Sequence, residues 1–133
     1  MNPEIKAMWL DALRSGKYKQ AQGVLHLINE NEPSYCCLGV LCDLAIKNGV
    51  KLDIEHDRKT ETLSSVVSYD GMMDMLPKAV MEWSGLETNN GTFTEEFDDG
   101  PYGLPRLAEL SLAEENDNGT SFEHLANIIE QCF

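Results

Sequence analysis

The sequence predicts an α+β, helix-rich fold, with four to five helices around one core and a small antiparallel sheet or hairpin within residues 50–76. Three observations predict it. The chain has 133 residues, enough to bury roughly two-thirds of the surface its unfolded form exposes, so one core suffices for a single domain over residues 1–133. Apolar residues make up 42% and charged residues 25%, a globular balance rather than a disordered one. Apolar side chains recur with the helical period near both ends and over residues 35–48, whereas residues 50–76 carry strand alternation and turn chemistry.

The first helix starts with Asn2 as its cap, Pro3 at the first helical position and Glu4 against the helix dipole. Ile5, Met8, Trp9, Ala12 and Leu13 form its apolar face, and Gly16 stops it. Residues 17–23 are polar and read as a loop. Val24, Leu25, His26, Leu27 and Ile28 favour a short strand, and residues 29–34, with Pro33, a turn-like link. The most apolar stretch follows. Cys37, Leu38, Leu41, Leu44 and Ala45 share one face of a central helix that ends at Asn48 and Gly49. Gly39 inside it costs about 1 kcal/mol of helix propensity, which points to close approach of another element.

Residues 50–54 alternate as a strand does, and residues 63–69, with Val66 and Val67, predict another. Asp70 and Gly71 signal a hairpin leading into residues 72–76. Pro77 opens a short helix closed by Gly85, with Ala79, Val80 and Trp83 facing inward. Residues 87–103 read as an acidic loop, functional or mobile, that includes Glu95, Glu96, Asp98 and Asp99. These carboxylates lack the alternating spacing of a calcium loop. Leu104, Leu107, Ala108 and Leu110 then start a helix running to about residue 116. Thr120 and Glu123 form a capping box for a last helix with Phe122, Leu125, Ala126, Ile129 and Phe133 along one side.

Charge narrows the function. Net charge is −13, and residues 87–133 hold 11 acids against one base, Arg106. Such a surface repels nucleic-acid backbones, so the terminal helix pair is a packing hairpin rather than a DNA reader. No apolar run reaches the roughly 18 residues of a membrane span, and residues 1–6 lack a signal-peptide pattern, which predicts a cytoplasmic protein. Cys36, Cys37 and Cys42 sit among leucines and valine, as buried structural thiols would; neither a disulfide framework nor a zinc motif fits them. Nothing points to a cofactor, and no phosphate loop, dinucleotide fingerprint or nucleophile elbow is present.

One basic cluster stands out. Arg14, Lys17 and Lys19 fall within six positions, with Tyr18 and Gln20 interleaved. Arginine clamps phosphate, lysine adds charge and tyrosine offers a stacking face, the set a nucleotide or other small anion would need. The bland alternative is a helix C-terminus favouring cations through its dipole.

Three segments carry a resemblance: residues 12–20, residues 35–45, and residues 112–130 with Asn116, Asp117, Gly119, Ser121 and Phe122. Leu76, Pro77, Lys78, Ala79, Val80 and Trp83 join them. Together they resemble small proteins of tailed bacteriophages and prophages that have no assigned function; Glu115 departs by standing where an apolar residue is usual. The resemblance implies a phage-encoded, non-catalytic binding protein that modulates defence or metabolism in the host cytoplasm. Its partner would be a small anionic ligand, or a host protein met by the acidic surface as a DNA mimic. A cysteine-dependent enzyme and a homo-oligomer remain open on the sequence.

Overall fold

Asn2 caps the first helix as its sequence dictates. In the computed structural model, which describes residues 1–58 and 64–133, its Oδ1 accepts from the N–H groups of Glu4 (2.9 Å) and Ile5 (3.3 Å), and helix α1 (Pro3–Arg14) follows. Ile5, Trp9, Leu10 and Leu13 are its buried face. Trp9 is fully enclosed, and its indole N–H donates to the Cys37 carbonyl at 2.9 Å, which removes the cost of burying that polar edge.

Helix α2 (Cys37–Lys47) is the centre of the core. Every residue from Cys37 to Cys42 is buried, so its N-terminal half is apolar all round rather than along a stripe. Gly39 meets the expectation of close approach, because a Cβ there would lie 1.7 Å from the Leu25 carbonyl oxygen. The approaching element is the chain entering the first strand.

That strand belongs to a four-stranded antiparallel sheet: β1 (His26–Asn29), β2 (Glu32–Tyr35), β3 (Ile54–Arg58) and β4 (Ser64–Tyr69), in the order β2-β1-β4-β3. The sheet is therefore wider than residues 50–76. Residues 29–34 are not a link but the end of β1, the turn and most of the edge strand of a hairpin. Glu30 (φ 51°) and Asn31 (φ 67°) make the turn with two positive φ angles. Pro33 argues against a strand only in a sheet interior; β2 is an edge, where its missing N–H breaks no ladder bond.

The strand expected over residues 50–54 lies later, beginning at Ile54. Leu63, where the next strand was expected to begin, lies outside the described residues. Asp70 (φ 51°) and Gly71 (φ 81°) do turn the chain, but only a Tyr69–Met72 bridge follows. β4 already has β1 on one side and β3 on the other, so no edge remains for residues 72–76.

Helix α3 (Lys78–Ser84) ends at Gly85, with Val80 buried and Ala79 and Trp83 half-buried. Beyond it the acidic segment is not a loop. β5 (Thr92–Phe97) and β6 (Arg106–Ser111) pair as an antiparallel ribbon joined by a 3₁₀ turn at Pro101–Gly103. The helix expected from Leu104 thus starts only at α4 (Leu112–Asp117). Phe93 is buried opposite Leu110 while Leu107 is exposed, so the period over this stretch is the strand's. Helix α5 (Phe122–Cys132) is capped by Ser121, whose Oγ accepts from the His124 N–H at 3.2 Å, one residue later than the expected cap. Thr120 instead donates to the half-buried Glu115 carboxylate at 3.3 Å. Leu125, Ala126 and Ile129 of α5 are fully buried in the cluster that also takes in the apolar face of α1. Among the described residues, five α-helices and two antiparallel sheets around one cluster make the α+β fold the sequence predicts. No helix among the described residues is long and apolar enough to cross a membrane.

Candidate functional site

The segment from Ser15 to β1 has almost no regular structure, so its shape comes from what grips it. Lys19 C=O accepts from Tyr35 N–H and Ala21 N–H donates to Tyr35 C=O, both at 2.8 Å, which fastens Gln20 beside the start of α2. The Gln20 side-chain amide donates to Asn116 Oδ1 (3.0 Å) and Thr120 C=O (2.7 Å). Asn116, fully buried, also accepts from Cys37 N–H (3.1 Å) and donates to Ala21 C=O (2.7 Å). Asp117 accepts from Gly23 N–H at 2.7 Å. Helix α4 thus holds the segment from behind.

In front, Lys17, Tyr18 and Lys19 line a cavity of about 540 Å³ together with Asp11, Ala12 and Ser15 of the α1 end, Pro33 and Tyr35 of β2, and Asp43 and Lys47 of α2. The Tyr18 hydroxyl donates to Asp43 Oδ2 (2.5 Å) and accepts from Lys47 Nζ (3.1 Å); Lys47 also pairs with Asp43 at 2.9 Å. Burial, reinforced by the Asp43 hydrogen bond, raises the Tyr18 pKa. Lys47's own hydrogen bonds, to Asp43 and to the Tyr18 hydroxyl, hold its ammonium well above its ordinary value. Tyr18 packs edge-on against Tyr35, with centroids 5.2 Å apart, and burial pushes the Tyr35 phenol up to about 12. Behind Tyr35 stacks His26 at 4.1 Å, whose Nδ1 meets the Tyr69 hydroxyl at 2.8 Å. Its Nε2 is buried without a partner among the described residues, and burial lowers the imidazole pKa.

Three lysines face two aspartates in this lining. Lys47 is held by Asp43, and Lys19 lies 3.3 Å from Glu32. Lys17 is exposed and has no ion-pair partner among the described residues. Of the residues the sequence singles out, the fold brings Lys17, Tyr18 and Lys19 to one pocket. It takes the other two elsewhere: Arg14 bonds Glu130 (2.9 Å) and Asn127 (3.0 Å) of α5, and the Gln20 amide is spent on α4. Sequence reasoning missed Asp11, Tyr35, Asp43 and Lys47. The last two carried a signal, since they are an i,i+4 ion pair on an otherwise apolar helix.

The cysteines stand apart from this pocket. Cys36, Cys37 and Cys42 are buried and Cys132 is exposed. Burial pushes the Cys36 thiol up to about 11 and those of Cys37 and Cys42 well above their ordinary value, which keeps them as inert thiols. Cys36 serves the backbone, its Sγ accepting from Gly39 N–H at 3.4 Å as the cap of α2. Among the described residues no group of three His, Cys, Asp or Glu side chains is placed to hold a metal ion.

Comparison with known proteins finds no match among curated proteins or solved structures. A family model described as a domain of unknown function, DUF8296, matches residues 1–133, and the chain belongs to that family.

Proposed function

We propose that the chain is a non-catalytic binding protein whose pocket at Lys17, Tyr18 and Lys19 seats a small anionic ligand, with nucleotides the first class to test. The observation that carries this reading is Lys17: an ammonium at the mouth of a tyrosine-walled pocket, with no carboxylate paired to it among the described residues. In an acidic protein an uncommitted cation beside aromatic faces is the feature a phosphate-bearing ring compound uses. Lys17 makes the first anion contact. Lys19 adds a second charge by giving up the exposed Glu32 pair, which is worth little in water. Tyr18, its hydroxyl tied to Asp43 and Lys47, is a fixed wall, and the exposed faces of the tyrosines supply the apolar contact. The resemblance to small phage proteins supports a host-cytoplasmic setting, in which such binding would sequester a signal or metabolite.

AMP, ATP and inorganic pyrophosphate are suitable probes for calorimetry and thermal shift. A ligand at a hundredfold excess over Kd adds about 2.7 kcal/mol of stability, readily seen as a raised Tm. The Lys17→Ala/Lys19→Ala variant removes two exposed side chains, so it folds normally and binds about tenfold more weakly or worse. Unchanged affinity in that variant overturns the assignment.

A further inference from the structure

We infer that the β5–β6 ribbon is a docking arm for a protein that presents a basic surface with an apolar centre. The register puts Leu107 opposite Glu96 and Thr94 opposite Glu109 on one face, and all four are exposed. Leu107 is 69% exposed, Leu104 at the ribbon's end 63%, and Tyr102 fully. Large apolar side chains gathered on one arm, rather than scattered singly, mark a surface awaiting a partner. The opposite face is committed to the body through Phe93, which is buried.

The end of the arm is built, not loose. Arg106 grips Asp99 through two hydrogen bonds of 2.9 and 3.1 Å and lies 4.8 Å over the Phe97 ring. A Cβ at Gly100 would fall 2.0 Å from the Leu104 carbonyl oxygen, so the turn closes tightly on glycine. Tyr102 is held at φ 60°, a backbone region bulky residues rarely adopt, and its ring is fully exposed. A contact surface ordered in advance loses less entropy on binding, and an exposed tyrosine at its tip is a typical anchor.

Charge decides the occupant. Residues 92–111 hold five acids and one base, and that base, Arg106, is already paired. Two arms brought together would oppose like charges, which disfavours a second copy. A nucleic acid or an anionic membrane carries the same sign and is repelled. A lysine- and arginine-rich protein surface matches both the carboxylates and the apolar centre. This inference is independent of the pocket reading, and either can fail alone.

The test is an NMR titration of the ¹⁵N-labelled protein with two synthetic amphipathic helical peptides. They share the same leucines and differ only in a lysine/arginine or a glutamate polar face. The basic peptide should perturb residues 94–109 selectively, bind more weakly as salt rises, and lose about tenfold or more in affinity to the Leu104→Ser/Leu107→Ser variant. The acidic peptide should not bind, and the variant should keep its Tm because both side chains are exposed. Shifts spread evenly over the acidic surface, equal binding by the variant, or arm resonances that change on dilution of the protein alone would each overturn the proposal.

Discussion

Replacing Gly39 with alanine sets two effects of opposite sign against each other. Helix propensity alone predicts a gain of about 1 kcal/mol, since Gly39 lies inside α2. Packing predicts the reverse. The new Cβ would sit 1.7 Å from the Leu25 carbonyl oxygen, 2.6 Å from its carbon and 3.2 Å from its Cα, all backbone atoms with no rotamer to yield. Relief requires α2 and the Leu25 segment to part by about 1.5 Å, and tight cores resist such overpacking at about 3 kcal/mol. The Cys36 N–H to Leu25 C=O bond of 3.2 Å is lost in the same movement, at about 1 kcal/mol. The net is a destabilisation of about 3 kcal/mol. With unfolding entropy near 2.1 cal/mol/K per residue over the chain, that lowers Tm by about 10 °C. Urea unfolding followed by the fluorescence of buried Trp9 and half-buried Trp83 reads both the midpoint and the slope. An unchanged or raised midpoint would refute the close-approach argument and leave propensity as the dominant effect.

Asn116→Ala leaves the Cys37 N–H, the Ala21 carbonyl and one N–H of the Gln20 amide without a partner, and should cost about 3 kcal/mol or more in the same urea experiment; a loss below 1 kcal/mol, about the average for any substitution, would deny Asn116 its place as a hub. His26 supplies a pH dependence. Burial lowers its folded pKa below the ordinary value of 6.5, so the unfolded chain takes up a proton first and stability falls as pH drops below about 6.5. Between pH 7.5 and 5.5 the urea midpoint of the native protein should therefore fall more than that of His26→Phe, which keeps a ring on Tyr35; parallel profiles would show that His26 titrates alike in both states. Maleimide labelling under native conditions should modify Cys132 alone, with Cys36, Cys37 and Cys42 reacting only as the chain unfolds; rapid labelling of any of the three, located by peptide mass spectrometry, would revive a cysteine-dependent activity.

The helices with strong local signals were legible in the sequence. Asn2, Pro3 and Gly85 each act within a few residues of where they stand, so spacing alone exposes their roles. Strands fared worse because their partners decide them. Pro33 is tolerable only once β2 is known to be an edge, and residues 72–76 fail to pair only because β4 is already flanked. Leu104, Leu107 and Leu110 sit at helical spacing, yet a turn at residues 98–105 and a buried Phe93 opposite Leu110 make the stretch a strand. At the site, the basic cluster was visible as composition, whereas Tyr35, Asp43 and Lys47 reach it only through the fold.

The pocket segment has too little structure to shape itself, and that determines which of the cluster's residues can face a ligand. Gln20 points back into α4, where its amide meets a buried asparagine and a backbone carbonyl, and a primary amide spent on two acceptors has no donor left to offer. Arg14 belongs to the last turn of α1, on the side that meets α5, so its guanidinium joins Glu130 and Asn127 instead of the cavity. What remains forward is Lys17, Tyr18 and Lys19, between two fixed ends: the positive-φ turn at Gly16 and the Tyr35 backbone clamp. Asn116 ties that clamp to the first N–H of α2, the helix that also supplies Asp43 and Lys47. One buried amide therefore sets both walls of the pocket relative to each other, and its side chain never reaches the cavity.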